Sequence, residues 1–203
     1  MIILDVKQGT PEWFSARLYK PTSSRFSDIV TSKGEPSKSA PKYMDELLAE
    51  YLSGQQVDQM EPTQWMLKGT ENEDEARHAF SFISQKDVSQ VGICFTDDMS
   101  VGCSPDGIIS MKEGLEVKSP KGSTLVGYYR KGVLPTKYIQ QVQGSMYVTG
   151  FEVWNFIAWH EHMEPFIIKV ERDDVFIGKL AEQLDIFNAK LEEQKILLED
   201  WKV

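Results

Sequence analysis

Asp106, Glu116 and Lys118 stand close together in the stretch CSPDGIISMKEGLEVKSP (103–120). Side chains alternate along a strand, so Glu116 and Lys118 share one face while Leu115 and Val117 take the other and can join a core. If 107–111 and 115–118 form a hairpin about Lys112-Glu113-Gly114, Asp106 comes across to Glu116. Pro105 fixes the entry of the chain, and Gly107 lets the backbone bend or approach a ligand closely. Two converging carboxylates repel unless a cation joins them. Hard oxygen donors select Mg²⁺ or Mn²⁺ over zinc, and the Val117 carbonyl is a third oxygen between the two side chains. A solvated sheet edge gives the same alternation, so the pair alone does not decide.

Three other groups could complete such a site. Glu71, Glu73, Asp74 and Glu75 form an acidic run. At helical spacing Gly69, Glu73, Ala76, Phe80 and Ile83 fall on one face. That face is small or apolar, which predicts that Glu73 points inward and needs a cation or a basic partner. Arg17 is followed by Lys20 and Thr22-Ser23-Ser24, and a guanidinium fork with hydroxyls at a helix start can cradle a phosphate. Serine at a helix start is also an ordinary cap. Gln141 and Gln143 lie on an amphipathic segment with Ile139, Val142 and Met146, and either could face the site or solvent. His160 and His162 flank Glu161 without a third ligand and read as the end of a strand. The aromatic run FEVWNFIAW reads as core rather than as a base-stacking platform. There is no GxSxG, Walker A or dinucleotide fingerprint.

The elements that must position these residues are legible from periodicity and caps. Helices are expected over 10–19, 23–30, 41–54, most of 62–84, 123–132, 136–150 and from Asp173 nearly to the end. Strands are expected over 88–96, 107–111, 115–118, 151–160 and 165–171. The segment 31–42 reads as a mobile loop, too short to separate domains. The expected fold is α/β (α+β mixed), with a central mixed β-sheet flanked by helices in one domain, residues 1–203.

Composition narrows the class. The 203 residues carry a formal net charge of −9, which argues against a basic nucleic-acid coat protein. Bases nevertheless gather at Lys112, Lys118, Lys121, Arg130, Lys131 and Lys137, so a local phosphate-binding surface on an acidic protein is allowed. Cys94 and Cys103 cannot make a disulfide scaffold, a structural zinc site or an iron–sulfur cluster. A reduced, cytoplasmic setting is expected. No apolar run is long enough to span a membrane, and MIILDVKQGTPEWF lacks the pattern of a signal peptide.

Ser104-Pro105-Asp106-Gly107 followed by Glu116-Val117-Lys118 resembles the PD-(D/E)xK nuclease signature. It lies behind Trp13-Phe14-x-x-Arg17-Leu18, Thr22-Ser23-Ser24 and Gly69-x-x-x-Glu73-x-x-Ala76-Arg77. It lies ahead of Gln141-Val142-Gln143-x-Ser145-Met146-Tyr147. The full order resembles the lambda exonuclease (YqaJ-type viral recombinase) family, from about residue 8 to the C-terminal helix. The resemblance implies a restriction-endonuclease-like core and a Mg²⁺-dependent exonuclease (Mn²⁺ as a substitute), probing double-stranded DNA ends and digesting the 5′ strand of linear duplex to leave 3′ overhangs. It implies two ions per site, a ring-shaped homotrimer and a single-strand annealing protein as partner in phage-type recombination. Residue by residue, it assigns metal binding to Asp106, Glu116, the Val117 carbonyl and Glu73. Lys118 would position or activate the attacking water, and Gln141 would support it. Arg17, Ser24 and Ser104 would hold the 5′-phosphate, and Met66 matches an apolar wedge at the duplex end. Tyr19-Lys20-Pro21 and the 31–42 loop depart from the family pattern. Related readings are a structure-specific endonuclease, a RecB-like nuclease, or a non-catalytic DNA-binding module.

Overall fold

The computed structural model describes residues 1–56 and 64–202, with the backbone alone for residues 64–71. Helix α1 (Pro11–Arg17) starts where expected: Thr10 caps it by accepting the Trp13 N–H, and Pro11 opens the first turn. Residues 23–30 do not make one helix. A 3₁₀ turn at Ser23–Arg25 leads into the short α2 (Phe26–Ile29). Helix α3 (Ala40–Ser53) and helix α4 (Gln64–Ser84) follow. The segment before α3 is pinned rather than free: Val30 bridges Pro36, and Lys179 donates to the Lys33 carbonyl at 3.3 Å.

Two sheets form. Strands β1 (Ile2–Leu4), β2 (Ile93–Phe95) and β3 (Gly102–Cys103) make a small antiparallel sheet in that order. The expected strand over 88–96 is therefore shorter, and Ser89 makes only an isolated bridge to Ile108. At Gly92 a Cβ would lie 2.1 Å from the Val6 carbonyl, so the chain passes too close to its neighbour for a regular alternating strand. The central sheet runs β4 (Gly107–Ser110), β5 (Glu113–Lys118), β6 (Val153–His160), β7 (Met163–Glu171). Its β5–β6 pair is parallel and the other two pairs are antiparallel.

The hairpin turn differs from the expected one. It falls at Met111-Lys112, and Glu113 and Gly114 already belong to β5. Gly114 serves packing instead of turning: a Cβ there would sit 2.5 Å from the Trp154 ring.

Helices α5 (Gly122–Lys131) and α6 (Ile139–Thr149) cover one face of the central sheet, with Leu125, Val142 and Met146 against Trp154, Phe156 and Ala158. Helix α4 covers the other face, with Ala76 and Phe80 against Leu115, Val117 and Ile157. Helix α7 (Asp174–Leu197), capped by Asp173, packs with α2 and α3 in a third apolar cluster. The result is the expected mixed α/β architecture, and the aromatic run FEVWNFIAW is largely core as expected, with Phe151, Trp154, Phe156, Ile157 and Ala158 buried and Glu152 exposed. One member of the predicted α4 face is misplaced: Ile83 is 52 % exposed. Phe80 is the last residue of that row buried on the sheet, and the final turn of α4 extends past it.

Candidate active site

Strand β5 lies between β4 and β6, so Glu116 and Lys118 are not on a solvated edge. Glu116 is 1 % exposed. It shares its sheet face with Phe156, its parallel neighbour, and looks toward α6. There Gln141 donates its amide N–H to Glu116 Oε1 at 2.6 Å, and the Lys118 ammonium pairs with the same oxygen. This resolves the two glutamines. Gln143 is turned away and used structurally, donating to the Glu171 carbonyl and accepting from the Asp173 N–H, both at 2.9 Å.

Asp106 meets β5 as expected. Gly107 pairs with Leu115, and Asp106 Oδ2 accepts the Val117 N–H at 2.6 Å. The segment carrying Asp106 is itself held. Gln8 donates to the carbonyls of Val91 and Pro105, each at 2.9 Å, and Arg77 donates to the Asp106 carbonyl at 3.2 Å. Glu73 arrives from α4, on the Leu115/Val117 side of the sheet. Its expected basic partner is Arg77, 3.8 Å away. It is not fully buried; its side chain is 35 % exposed.

The three carboxyls feel one another. Burial pushes Glu116 up to about 8; Lys118 opposes this, while Asp106 and Glu73 add to it. Burial and the Asp106 charge push Glu73 up to about 7. Burial raises Asp106 as well, against Lys118. Burial disfavours the Lys118 charge, but Glu116 and Asp106 outweigh it and hold the ammonium firmly protonated. Lys118 also lies 5.5 Å from the centre of the Tyr138 ring, a cation–π contact on its outer side.

Among the described residues, no group of three or more His, Cys, Asp and Glu side chains forms a ready-made metal shell. Glu116 is engaged by Lys118 and Gln141, and Glu73 leans toward Arg77. The donor set nonetheless fits a hard divalent ion in type and charge: Asp106, Glu116 and Glu73 offer only oxygen, and their mutual repulsion is what a cation relieves. The nearby thiols are not candidates, because Cys94 and Cys103 are fully buried and face each other across β2 and β3. His160 and His162 lie at the β6–β7 turn, as expected.

The second constellation forms around Arg17. One Nη donates to Ser104 Oγ and the other to Thr22 Oγ1, each at 3.1 Å. Trp13 supports both: its indole N–H donates to Ser104 Oγ at 3.0 Å, and its ring lies 4.3 Å under the guanidinium carbon. Ser24 is exposed, and its hydroxyl is 3.4 Å from that of Thr22. Burial pushes the Arg17 pKa down, as expected for a cation with no carboxylate in direct contact among the described residues. The sequence-predicted residues Arg17, Ser24 and Ser104 are thus brought together. Met66, on α4, has its side chain outside the described residues. Thr22 belongs to the hydroxyl run offered with Arg17 as a phosphate cradle, whereas Trp13, Arg77 and Gln8 are given no role by sequence reasoning. Trp13 and Arg77 stand within the motifs quoted above, but neither is charged with chemistry by its type alone; Gln8 carries no signal.

Residues 12–152 match the model of the YqaJ-like viral recombinase domain. Among solved structures, an alkaline exonuclease (LHK-Exo) from Laribacter hongkongensis is similar at 31 % identity and a TM-score of 0.85, over 94 % of this chain and 97 % of that one. The same enzyme has been solved in complex with dAMP, with the same overlap. A phage-related exonuclease from Haemophilus somnus 129PT shares the fold, at 14 % identity and a TM-score of 0.63 over 89 % of this chain and 96 % of that one. No curated protein matches. The domain match covers the Arg17 cradle, Glu73, Asp106, Glu116, Lys118 and Gln141, and the chain belongs to the YqaJ-like viral recombinase family.

Proposed function

We propose that this protein is a metal-dependent 5′-to-3′ exonuclease acting on linear double-stranded DNA and leaving 3′ single-stranded overhangs. One observation carries the reading: Ser104, at the Arg17 cradle, and Asp106, at the carboxylate cluster, are separated only by Pro105. A terminal phosphate held by Arg17, Ser104 and Ser24 would fix which phosphodiester reaches Asp106, Glu116 and Lys118. Each cut then presents a new terminal phosphate to the same cradle, which gives direction without base contacts. The names of the two similar structures, both exonucleases, and the dAMP bound to one of them support the same reading.

Asp106, Glu116 and the Val117 carbonyl would hold one ion and Glu73 would serve a second, with Mg²⁺ the fitting ion and Mn²⁺ its substitute. Bound there, two such ions supply positive charge at the attacking and leaving oxygens of the phosphodiester. Lys118 holds a proton-rich group beside Glu116 and orients the attacking water, and Gln141 fixes the Glu116 carboxylate. A ring-shaped homotrimer around the duplex, a single-strand annealing partner, a Met66 wedge and a cytoplasmic setting complete the reading. Among the described residues no helix is long and apolar enough to cross a membrane.

The discriminating test compares linear and covalently closed circular duplex with Mg²⁺, using the native chain and Lys118→Ala. Expected are digestion of the linear form only and near-complete loss of digestion in the folded variant. Degradation of closed circles would point to an endonuclease of the same superfamily. Substantial activity of Lys118→Ala would refute the catalytic role of this lysine.

A further inference from the structure

Arg77 touches the carboxylate cluster without being one of its oxygen donors, and it is buried, at 8 % exposure. Its Nη1 donates to the Asp106 carbonyl at 3.2 Å and lies 3.8 Å from Glu73 Oε2. Its Nη2 pairs in direct contact with Asp74. Glu73 and Asp74 precede it by four and three residues, so one turn of α4 presents all three side chains together. We propose that Arg77, with its charge neutralised by Asp74, is the positioning residue that ties Glu73 on α4 to the segment carrying Asp106, and so supports binding of a second divalent ion there. The inference rests on the metal-site reading above and extends it to residues outside the ligand set.

Two physical points support it. Glu73 and Asp106 repel each other, and their backbones belong to different elements, a helix and the turn before β4. Apolar packing sets α4 on β5, and Arg77, itself on α4, adds a polar tie from that helix to the Asp106 carbonyl. A bare guanidinium this near Glu73 would also repel a cation bound there. Asp74 removes that conflict. Its side chain is 75 % exposed, so the pair contributes little to stability. Its value is the local charge balance, which gives the acidic run two distinct uses: Glu73 toward the metal, Asp74 toward Arg77. Lysine cannot substitute, because one ammonium cannot span a carbonyl and two carboxylates as a planar fork does.

The test is Mn²⁺ binding to the full chain without DNA, by calorimetry and by electron paramagnetic resonance of free Mn²⁺, with thermal unfolding of each variant. The native chain is expected to bind two ions. Arg77→Lys and Arg77→Gln should weaken one of them roughly 10- to 100-fold, the range for loss of a group that orients a metal ligand, and leave the other. Asp74→Asn should weaken the same ion, and should add nothing once Arg77→Gln is present. Folded Arg77 variants with native isotherms overturn the proposal. So does an Asp74→Asn effect that persists without Arg77, because that is a generic loss of acidity. If the Arg77 variants do not fold, Asp74→Asn decides alone, and an unchanged isotherm overturns the proposal. DNA digestion is measured in parallel. Shifted isotherms in a protein that cleaves no DNA would sink the nuclease reading and leave the positioning role standing; a native chain that binds no Mn²⁺ sinks this proposal.

Discussion

Replacing Arg17 with lysine separates phosphate recognition from everything else this protein does. The guanidinium has five N–H donors. Two already reach Ser104 and Thr22 at 3.1 Å, and the ring of Trp13 fixes its plane at 4.3 Å. The remaining donors are therefore oriented before any ligand arrives. Lysine keeps the charge but offers a point donor that cannot hold Ser104 and Thr22 and still present a fork. Each charge-assisted hydrogen bond lost to a terminal phosphate is worth about 1.5–3 kcal/mol, or roughly 10- to 150-fold in rate or affinity. The loss in stability should be smaller, about 1–2 kcal/mol, because Ser104 and Thr22 can bond to water instead. The assay is the ratio of initial rates on one linear duplex with 5′-phosphoryl or 5′-hydroxyl ends. The native chain should prefer the phosphoryl end by at least tenfold, and Arg17→Lys should bring the ratio near one while digestion of hydroxyl ends changes little. A variant that keeps the full preference would refute the cradle. A variant that loses both substrates equally, with a lowered melting temperature, would assign Arg17 a structural role only.

Other outcomes follow from side-chain partners. Gln141→Ala should cut digestion with little change in melting temperature, because the amide serves Glu116. Gln143→Ala should do the reverse, costing about 1–3 kcal/mol by orphaning the Glu171 carbonyl and Asp173 N–H while activity per folded molecule is kept. Unfolding by denaturant and a single-turnover digestion check the pair; equal effects on both readouts in both variants would contradict the assignment. Lys86 tests a pH dependence away from the site. Burial would raise Glu113, but Lys86 at 2.5 Å and the Asn155 amide outweigh it and hold the carboxyl below its ordinary range. A depressed acid stabilises the fold above its unfolded pKa and loses that contribution as pH falls through its folded pKa. Lys86→Ala should therefore destabilise at neutral pH and converge with the native chain in strong acid; a constant difference across pH would contradict the ion pair.

The sequence made the chemistry more legible than the scaffold that surrounds it. Strand alternation puts Glu116 and Lys118 on one face and the hairpin brings Asp106 toward them. Periodicity leaves Gln141 and Gln143 open, and the family resemblance is what singles out Gln141 and joins the four into a site. Leu115 and Val117 on one side and Glu116 on the other are the plain result of alternation. The turn of the hairpin was misplaced because Gly114 has two uses, and only the Trp154 ring decides between them. Strand β1 and strand β3 went unread because a three-residue and a two-residue strand carry too little pattern. Ile83 was misassigned because periodicity fixes a face but not where the neighbouring sheet ends. Arg77 and Gln8 escaped for a different reason. Gln8 works entirely, and Arg77 in part, by bonding to backbone carbonyls, which no side-chain pattern in the sequence records.

The central claim is that a metal-dependent site removes nucleotides from the 5′ end of linear duplex. Digestion of 5′-phosphorylated linear duplex, labelled separately at each 5′ and 3′ end, with Mg²⁺ and with chelator, tests it most directly. The account predicts early release of the 5′ label, retention of the 3′ label on a lengthening overhang, and no release in chelator. Early release of the 3′ label, or release that continues in chelator, would contradict it.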